Sequence, residues 1–202
     1  DVGNQITVTA SYTDGEGAAE STTSNPTDEV ANVNDDPSGT VTISGTPTQG
    51  EVLTASNNIA DVDGMGTITY TWSNGKTGET ITLTQADVGN QITVTASYTD
   101  GGGTEESITS TATSAVTNVN DAPSGTVTIS GTVKEDEILT AVTTSIADED
   151  GLTTFSYQWK RGGSDISGAT SSTYLLTQAD VDTTITVTAS YTDGGGTEES
   201  IT

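Results

Sequence analysis

The sequence repeats itself, and the unit is long. Tyr-Thr-Asp-Gly begins at Tyr12, Tyr98 and Tyr191, and Pro-Ser-Gly-Thr-Val-Thr-Ile-Ser-Gly begins at Pro37 and Pro123. Leu-Thr-Gln-Ala-Asp-Val begins at Leu83 and Leu176, and Ile-Ala-Asp-x-Asp-Gly at Ile59 and Ile146. The period is about 90 residues, well beyond the roughly 20–50 residues of a solenoid turn. It matches one small domain per repeat. The repeats predict three segments: 1–34, the C-terminal strands of a truncated unit; 35–120, a complete unit; and 121–202, a unit lacking the end of its last strand. Asp1-Val2-Gly3 corresponds to Asp87-Val88-Gly89 and Thr202 to Thr109, so a window on a longer array is expected. The copies differ mainly after the tryptophan, where WSNGKTGETITLTQ (72–85) becomes WKRGGSDISGATSSTYLLTQ (159–178). A Gly- and Ser-rich insertion of that kind belongs at a loop tip.

Charge narrows the partners. Four Lys+Arg stand against 29 Asp+Glu, a formal net charge of −25, with neither His nor Cys. Such a chain repels nucleic-acid phosphates and anionic lipid. No apolar run approaches the length of a membrane-spanning helix. Without Cys there is no disulfide framework and no thiolate metal site; secretion stays open, since a domain of this size folds unstapled.

Apolar residues make up only 30% of the chain, and with this charge that composition also suits disorder. The patterning argues against it. ITVTASY, GTVTISG, ITYTWS and ITLTQ alternate apolar and hydroxyl residues with period two, the signature of half-buried strands. In the middle unit the expected strands are 40–46, 51–57, 67–73, 79–84, 91–99 and 104–117. Their inward residues would be Val41 and Ile43; Leu53 and Ala55; Ile68, Tyr70 and Trp72; Ile81 and Leu83; Ile92, Val94, Ala96 and Tyr98; and Ile108, Ala112 and Val116. Short strands separated by Gly-, Asp- and Asn-rich turns, with no helical period, predict an all-β sandwich.

Trp72 and Trp159, each on the third expected strand, resemble the core tryptophan of immunoglobulin-like sandwiches. The stretch from that tryptophan to the Asp-x-Gly turn in ADVGNQITV resembles the same family. The chain departs from it in three ways: Gln91 or Ile92 stands where a corner tyrosine would be, no Cys pair exists, and Asp182 replaces the turn glycine. The resemblance implies tandem Ig-like or cadherin-like sandwiches strung end to end, with both tryptophans packed in cores.

In that topology three acidic segments meet at one end of each domain. For the middle unit they are the linker with Asn32, Asn34, Asp35 and Asp36; the loop with Asp61 and Asp63; and the loop with Asp100, Glu105 and Glu106. The next unit repeats the set with Asn118, Asn120 and Asp121; Asp148, Glu149 and Asp150; and Asp193. Clustered carboxylates repel unless a cation bridges them. Ca²⁺ takes about six to eight oxygens in flexible geometry from carboxylates, amides and carbonyls, so it is the expected cofactor. The competing reading is turn chemistry, since Asp, Asn and Gly are also the commonest turn formers.

The linker itself is similar to the Asn-Asp-x-Pro junctions of cadherins and cadherin-like bacterial repeats, through Asn34, Asp35 and Pro37 and again Asn120, Asp121 and Pro123. Over nearly its whole length the chain resembles the repeat region of large secreted bacterial adhesins of the RTX, biofilm-forming type. That resemblance implies a non-catalytic extender at the cell surface or outside it, whose partners are neighbouring repeats of the same chain. Two alternatives remain open at this point: a subunit of an extracellular filament of like chains, and direct binding of glycan or ice by the threonine ranks. Enzyme activity is not expected, because the same turn-borne carboxylates recur in every repeat and no His, Cys or phosphate loop accompanies them.

Overall fold

Alternating Thr, Val, Ile and Tyr give strands with one apolar face, and the computed structural model, which describes residues 1–202, is nearly all β. Its strands are β1 (Thr9–Thr13), β2 (Ala19–Thr23), β3 (Val41–Ser44), β4 (Val52–Asn57), β5 (Thr69–Trp72), β6 (Thr80–Thr82), β7 (Val94–Thr99) and β8 (Glu105–Thr109). They continue with β9 (Thr128–Ser130), β10 (Ile138–Val142), β11 (Ser156–Arg161), β12 (Ser164–Asp165), β13 (Thr173–Leu175), β14 (Ile185–Thr192) and β15 (Glu198–Ile201). Short 3₁₀ turns, Gln85–Asp87 and Gln178–Asp180, precede β7 and β14. The sheets are β1-β2, β3-β4-β6, β5-β7-β8, β13-β10-β9 and β12-β11-β14-β15.

Two compact units divide the chain. The first holds Asp1–Gly45, Val52–Ile81 and Gln91–Thr113; the second holds Thr46–Glu51, Thr82–Asn90 and Ser114–Thr202. In the first, Val41, Leu53, Ala55 and Ile81 are buried from the β3-β4-β6 sheet, and Trp72, Val94, Ala96 and Tyr98 from the β5-β7-β8 sheet. In the second, Leu139 and Ala141 of β10 form one cluster with Trp159 of β11, Val187 of β14 and Leu176. Each core therefore draws on two antiparallel sheets, as a β-sandwich does. Each buried Leu or Val contributes about 1.5–3 kcal/mol. Both indoles also satisfy their N–H, Trp72 on the Gly78 carbonyl at 2.8 Å and Trp159 on that of Ser171 at 2.9 Å. Both tryptophans are core residues.

One strand differs from its expected course. The last strand of the middle unit was expected over 104–117, but β8 ends at Thr109, Ala112 is exposed, and only Val116 is buried. The cause is local. Hydroxyls replace carbonyls as acceptors: Ser110 Oγ takes the Val94 N–H and Thr113 Oγ1 the Ile92 N–H, both at 3.1 Å. Val116 then forms a parallel bridge with Val88.

Asp182, the departure at the turn, has φ of 61° where Gly89 has 78°. The position needs left-handed backbone, which Asp tolerates far better than a branched residue. Just before it, Asp180 closes the 3₁₀ turn by accepting the Thr177 N–H at 2.8 Å and hydroxyl at 2.9 Å. Arg161 Nε also binds it at 2.6 Å. Burial pushes the Asp180 carboxyl up, but the hydrogen bonds from Arg161, Thr177 and Tyr174 outweigh it and hold the group at about 2.

Candidate metal centre

The two acidic constellations form at the two linkers, one wholly within each compact unit. They are built alike. In the first, Asp61 folds its own loop: its Oδ1 accepts the Asp63 N–H at 2.9 Å. Its other oxygen accepts the Tyr98 hydroxyl at 2.6 Å. In the second, Asp148 Oδ1 accepts the Asp150 N–H at 2.9 Å, and Asp148 Oδ2 accepts the Tyr191 hydroxyl. Asp61 and Asp148 thus have both oxygens engaged by the protein.

The linker is then laid across this loop. The Asp35 N–H donates to Asp63 Oδ2 and the Asp121 N–H to Asp150 Oδ2, both at 2.7 Å. Asn34 Nδ2 donates to Glu106 Oε1 at 2.8 Å, and Asn120 Nδ2 to Glu199 Oε1 at 2.9 Å. The third segment is the hairpin turn Asp-Gly-Gly-Gly. Asp100 Oδ1 accepts the Thr104 N–H and Asp193 Oδ1 the Thr197 N–H, each at 2.7 Å. The turn meets the loop through Gly101 N–H to the Asp63 carbonyl at 3.0 Å and Gly194 N–H to the Asp150 carbonyl at 2.9 Å.

In each turn the first glycine is required by space. A Cβ at Gly101 or Gly194 would run into the carbonyl it binds. A Cβ at Gly102 would lie 2.7 Å from Asn32 Nδ2, and one at Gly195 would lie 2.6 Å from Asn118 Nδ2. The linker asparagine therefore closes directly over the turn, beside the carboxylate of Asp100 or Asp193.

What remains after this network is acceptor without donor. Asn118 Oδ1, Asp150 Oδ1 and Asp193 Oδ2 are buried with no hydrogen-bond partner, as is Asp100 Oδ2 in the first constellation. Asp150 is 6% exposed, Asp193 4% and Asp100 6%. An unsatisfied buried carboxylate oxygen is costly, and here two such oxygens, on Asp150 and Asp193, share a constellation with the unpartnered amide oxygen of Asn118. Lys160 is paired with Asp165 and Arg161 with Asp180, so neither of these cations serves them. The tyrosines register the resulting field. Burial first, then the hydrogen bonds to Asp61 and Asp148, then the negative charges of neighbouring Glu and Asp push both phenols well above their ordinary range.

No three carboxylates stand together as a ready-made cage. The free donors are a mixed set of amide and carboxylate oxygens, which suits a hard cation that accepts varied oxygen ligands. Of the residues expected at the sites, Asn118, Asp150, Asp193 and Asp100 carry the unpartnered oxygens. Asn32, Asp63, Asp35 and Asp121 lie in the same networks, Asn34 and Asn120 tie the linker to Glu106 and Glu199, and Asp61 and Asp148 organise the loops. Tyr98, Tyr191, Glu199 and Gln49, which binds Asp121 Oδ2 at 2.7 Å, were not among the expected site residues. The recurrence of Tyr in the Tyr-Thr-Asp-Gly anchor was the signal for the tyrosines.

No family model matches the chain, and no curated protein matches it. Among solved structures it is loosely similar to the crystal structure of a tetra-tandem repeat in the extending region of a large adhesion protein. The identity is 21% and the TM-score 0.29, over 98% of this chain and 55% of that one. The chain thus spans about half the length of that structure.

Proposed function

We propose that these are non-catalytic extender repeats of a bacterial cell-surface adhesin, made rigid by Ca²⁺ at the linkers and holding a distal adhesive region away from the cell. The observation that carries the reading is the set of buried, unpartnered oxygens on Asn118, Asp150 and Asp193, with the linker tied to Asp150 through the Asp121 N–H. At the other linker Asp100 Oδ2 is likewise buried and unpartnered, with Asn32 and Asp63 at the matching positions. Ca²⁺ would supply the positive charge that the network lacks. Asn118, Asp150 and Asp193 would hold it at one linker, and Asn32, Asp63 and Asp100 at the other.

The chain's own residues do the mechanical work. The loop Asp148–Gly151 receives the linker, Asn120 fastens it to Glu199, and Pro123 restricts the backbone on both its sides. Neutralising the carboxylates removes the repulsion that would pull linker, loop and turn apart. Each linker then behaves as a stiff strut, and repetition lengthens the array without adding a new activity. The partners are neighbouring repeats of the same chain, and the place of action is extracellular or on the cell surface.

Small-angle scattering in Ca²⁺ and in chelator tests this reading. The maximum dimension and stiffness should fall when Ca²⁺ is removed. An unchanged scattering curve contradicts it.

A further inference from the structure

The two linkers carry the same candidate ligands but are not held alike. Ahead of the second, the turn after β3 runs alongside the linker: Thr48 and Thr117 form a parallel bridge with their hydroxyls 2.8 Å apart. The Gln49 N–H donates to the Thr117 carbonyl at 3.0 Å, and the Thr117 N–H to the Pro47 carbonyl at 2.9 Å. The Gln49 side chain then uses both its ends. Its Oε1 accepts the Val119 N–H at 3.1 Å, and its Nε2 donates to Asp121 Oδ2 at 2.7 Å. Residues alternate sides along an extended segment. Gln49 grips Val119 and Asp121 from one side while Asn118 and Asn120 reach the Gly195 turn and Glu199 on the other.

Within residues 1–202 the two linkers also differ in exposure. Val33 is 80% exposed where Val119 is 48%. Asn32 and Asp35 are exposed where Asn118 and Asp121 are half-buried. Asp63 is half-buried where Asp150 is buried. The better-sequestered set of unpartnered oxygens coincides with the glutamine clip.

We infer that Gln49 is the positioning residue of the second site: by holding Asp121 and Val119, it fixes the linker over Asp150 in advance of Ca²⁺ binding. The inference rests on the Ca²⁺ reading above. A residue that orients a ligand-bearing segment is worth roughly 10- to 100-fold in metal affinity.

The test is a Ca²⁺ titration of the whole chain followed by amide NMR, with Gly102 and Gly195 reporting the two sites separately. Gln49→Met keeps length and packing but removes both bonds. It should weaken the Gly195 site roughly tenfold, leave the Gly102 site unchanged, and leave the chelated protein's Tm nearly unmoved. Gln49→Ala should reproduce the loss. A Gly195 site unchanged or tightened by Gln49→Met would overturn the role of Gln49 while leaving the Ca²⁺ reading standing. No saturable shift at either glycine would overturn both.

Discussion

Asp1–Gly15 and Asp87–Gly101 are identical letter for letter, and within residues 1–202 only the second has further strands packed over it. Ile6, Val8 and Tyr12 are 42%, 69% and 63% exposed; their counterparts Ile92, Val94 and Tyr98 are 1%, 0% and 3% exposed. The local structure is nevertheless the same. Thr9 pairs with Thr23 as Thr95 pairs with Thr109, in register and with hydroxyls 2.8 Å apart in each case. Val8 N–H finds Ser24 Oγ as Val94 N–H finds Ser110 Oγ, both at 3.1 Å. Asp14 accepts the Ala18 N–H as Asp100 accepts the Thr104 N–H. Hairpin, register and turn are therefore encoded locally. Burial is not: it comes from β3, β4 and β5, which bring Val41, Leu53 and Trp72.

Removing the cover should break this contrast most severely. Trp72 lies beside Val94 across the β5–β7 ladder and is 1% exposed. Trp72→Ala should cost about 3–5 kcal/mol. In hydrogen exchange, the amides of Val94, Ala96 and Tyr98 should then lose most of their protection and approach those of Val8, Ala10 and Tyr12. Retained protection would mean that the hairpin's stability is local after all.

A smaller effect separates ligand from turn former. Asp193→Asn keeps the Oδ1 acceptor for Thr197 but replaces an unpartnered charged oxygen with a donor facing an acceptor-rich network. In chelator the variant should be more stable by about 1 kcal/mol, and the Ca²⁺-dependent gain in Tm at this site should vanish. A variant destabilised in chelator and still stabilised by Ca²⁺ would make Asp193 a turn residue only.

The smallest effect concerns acid. The folded-state carboxyl of Asp180, at about 2, lies below the ordinary value near 3.9. Its contribution is complete above the unfolded value and disappears as pH falls through the folded one. The stability of the second unit should therefore persist to about pH 4 and decline toward pH 2. Arg161→Met should lower stability at neutral pH and flatten that decline in acid-unfolding curves, because the folded carboxyl moves back toward its unfolded value; an unchanged decline would assign the acid limb to other groups.

The same distinction explains what the sequence disclosed. Period-two runs announced β7 and β14, the tryptophans announced their cores, and Asp-x-Asp-Gly and Asp-Gly-Gly-Gly announced the loops and turns of the site. These are local patterns. The ending of β8 at Thr109 was hidden because Ser110 and Thr113 look like ordinary strand residues until their hydroxyls take backbone N–H groups. Tyr98 was legible as an inward residue, but its hold on Asp61 depends on a pairing 37 positions apart. Gln49 was silent, since nothing near it marks contact with residues 119 and 121.

The central claim is that Ca²⁺ completes these networks. Calorimetric titration of the whole chain, beside the Asp100→Asn, Asp193→Asn double variant, tests it most directly. Saturable binding that is lost in the variant is the predicted result. No saturable heat in the unsubstituted protein, or equal binding in both, would contradict the account.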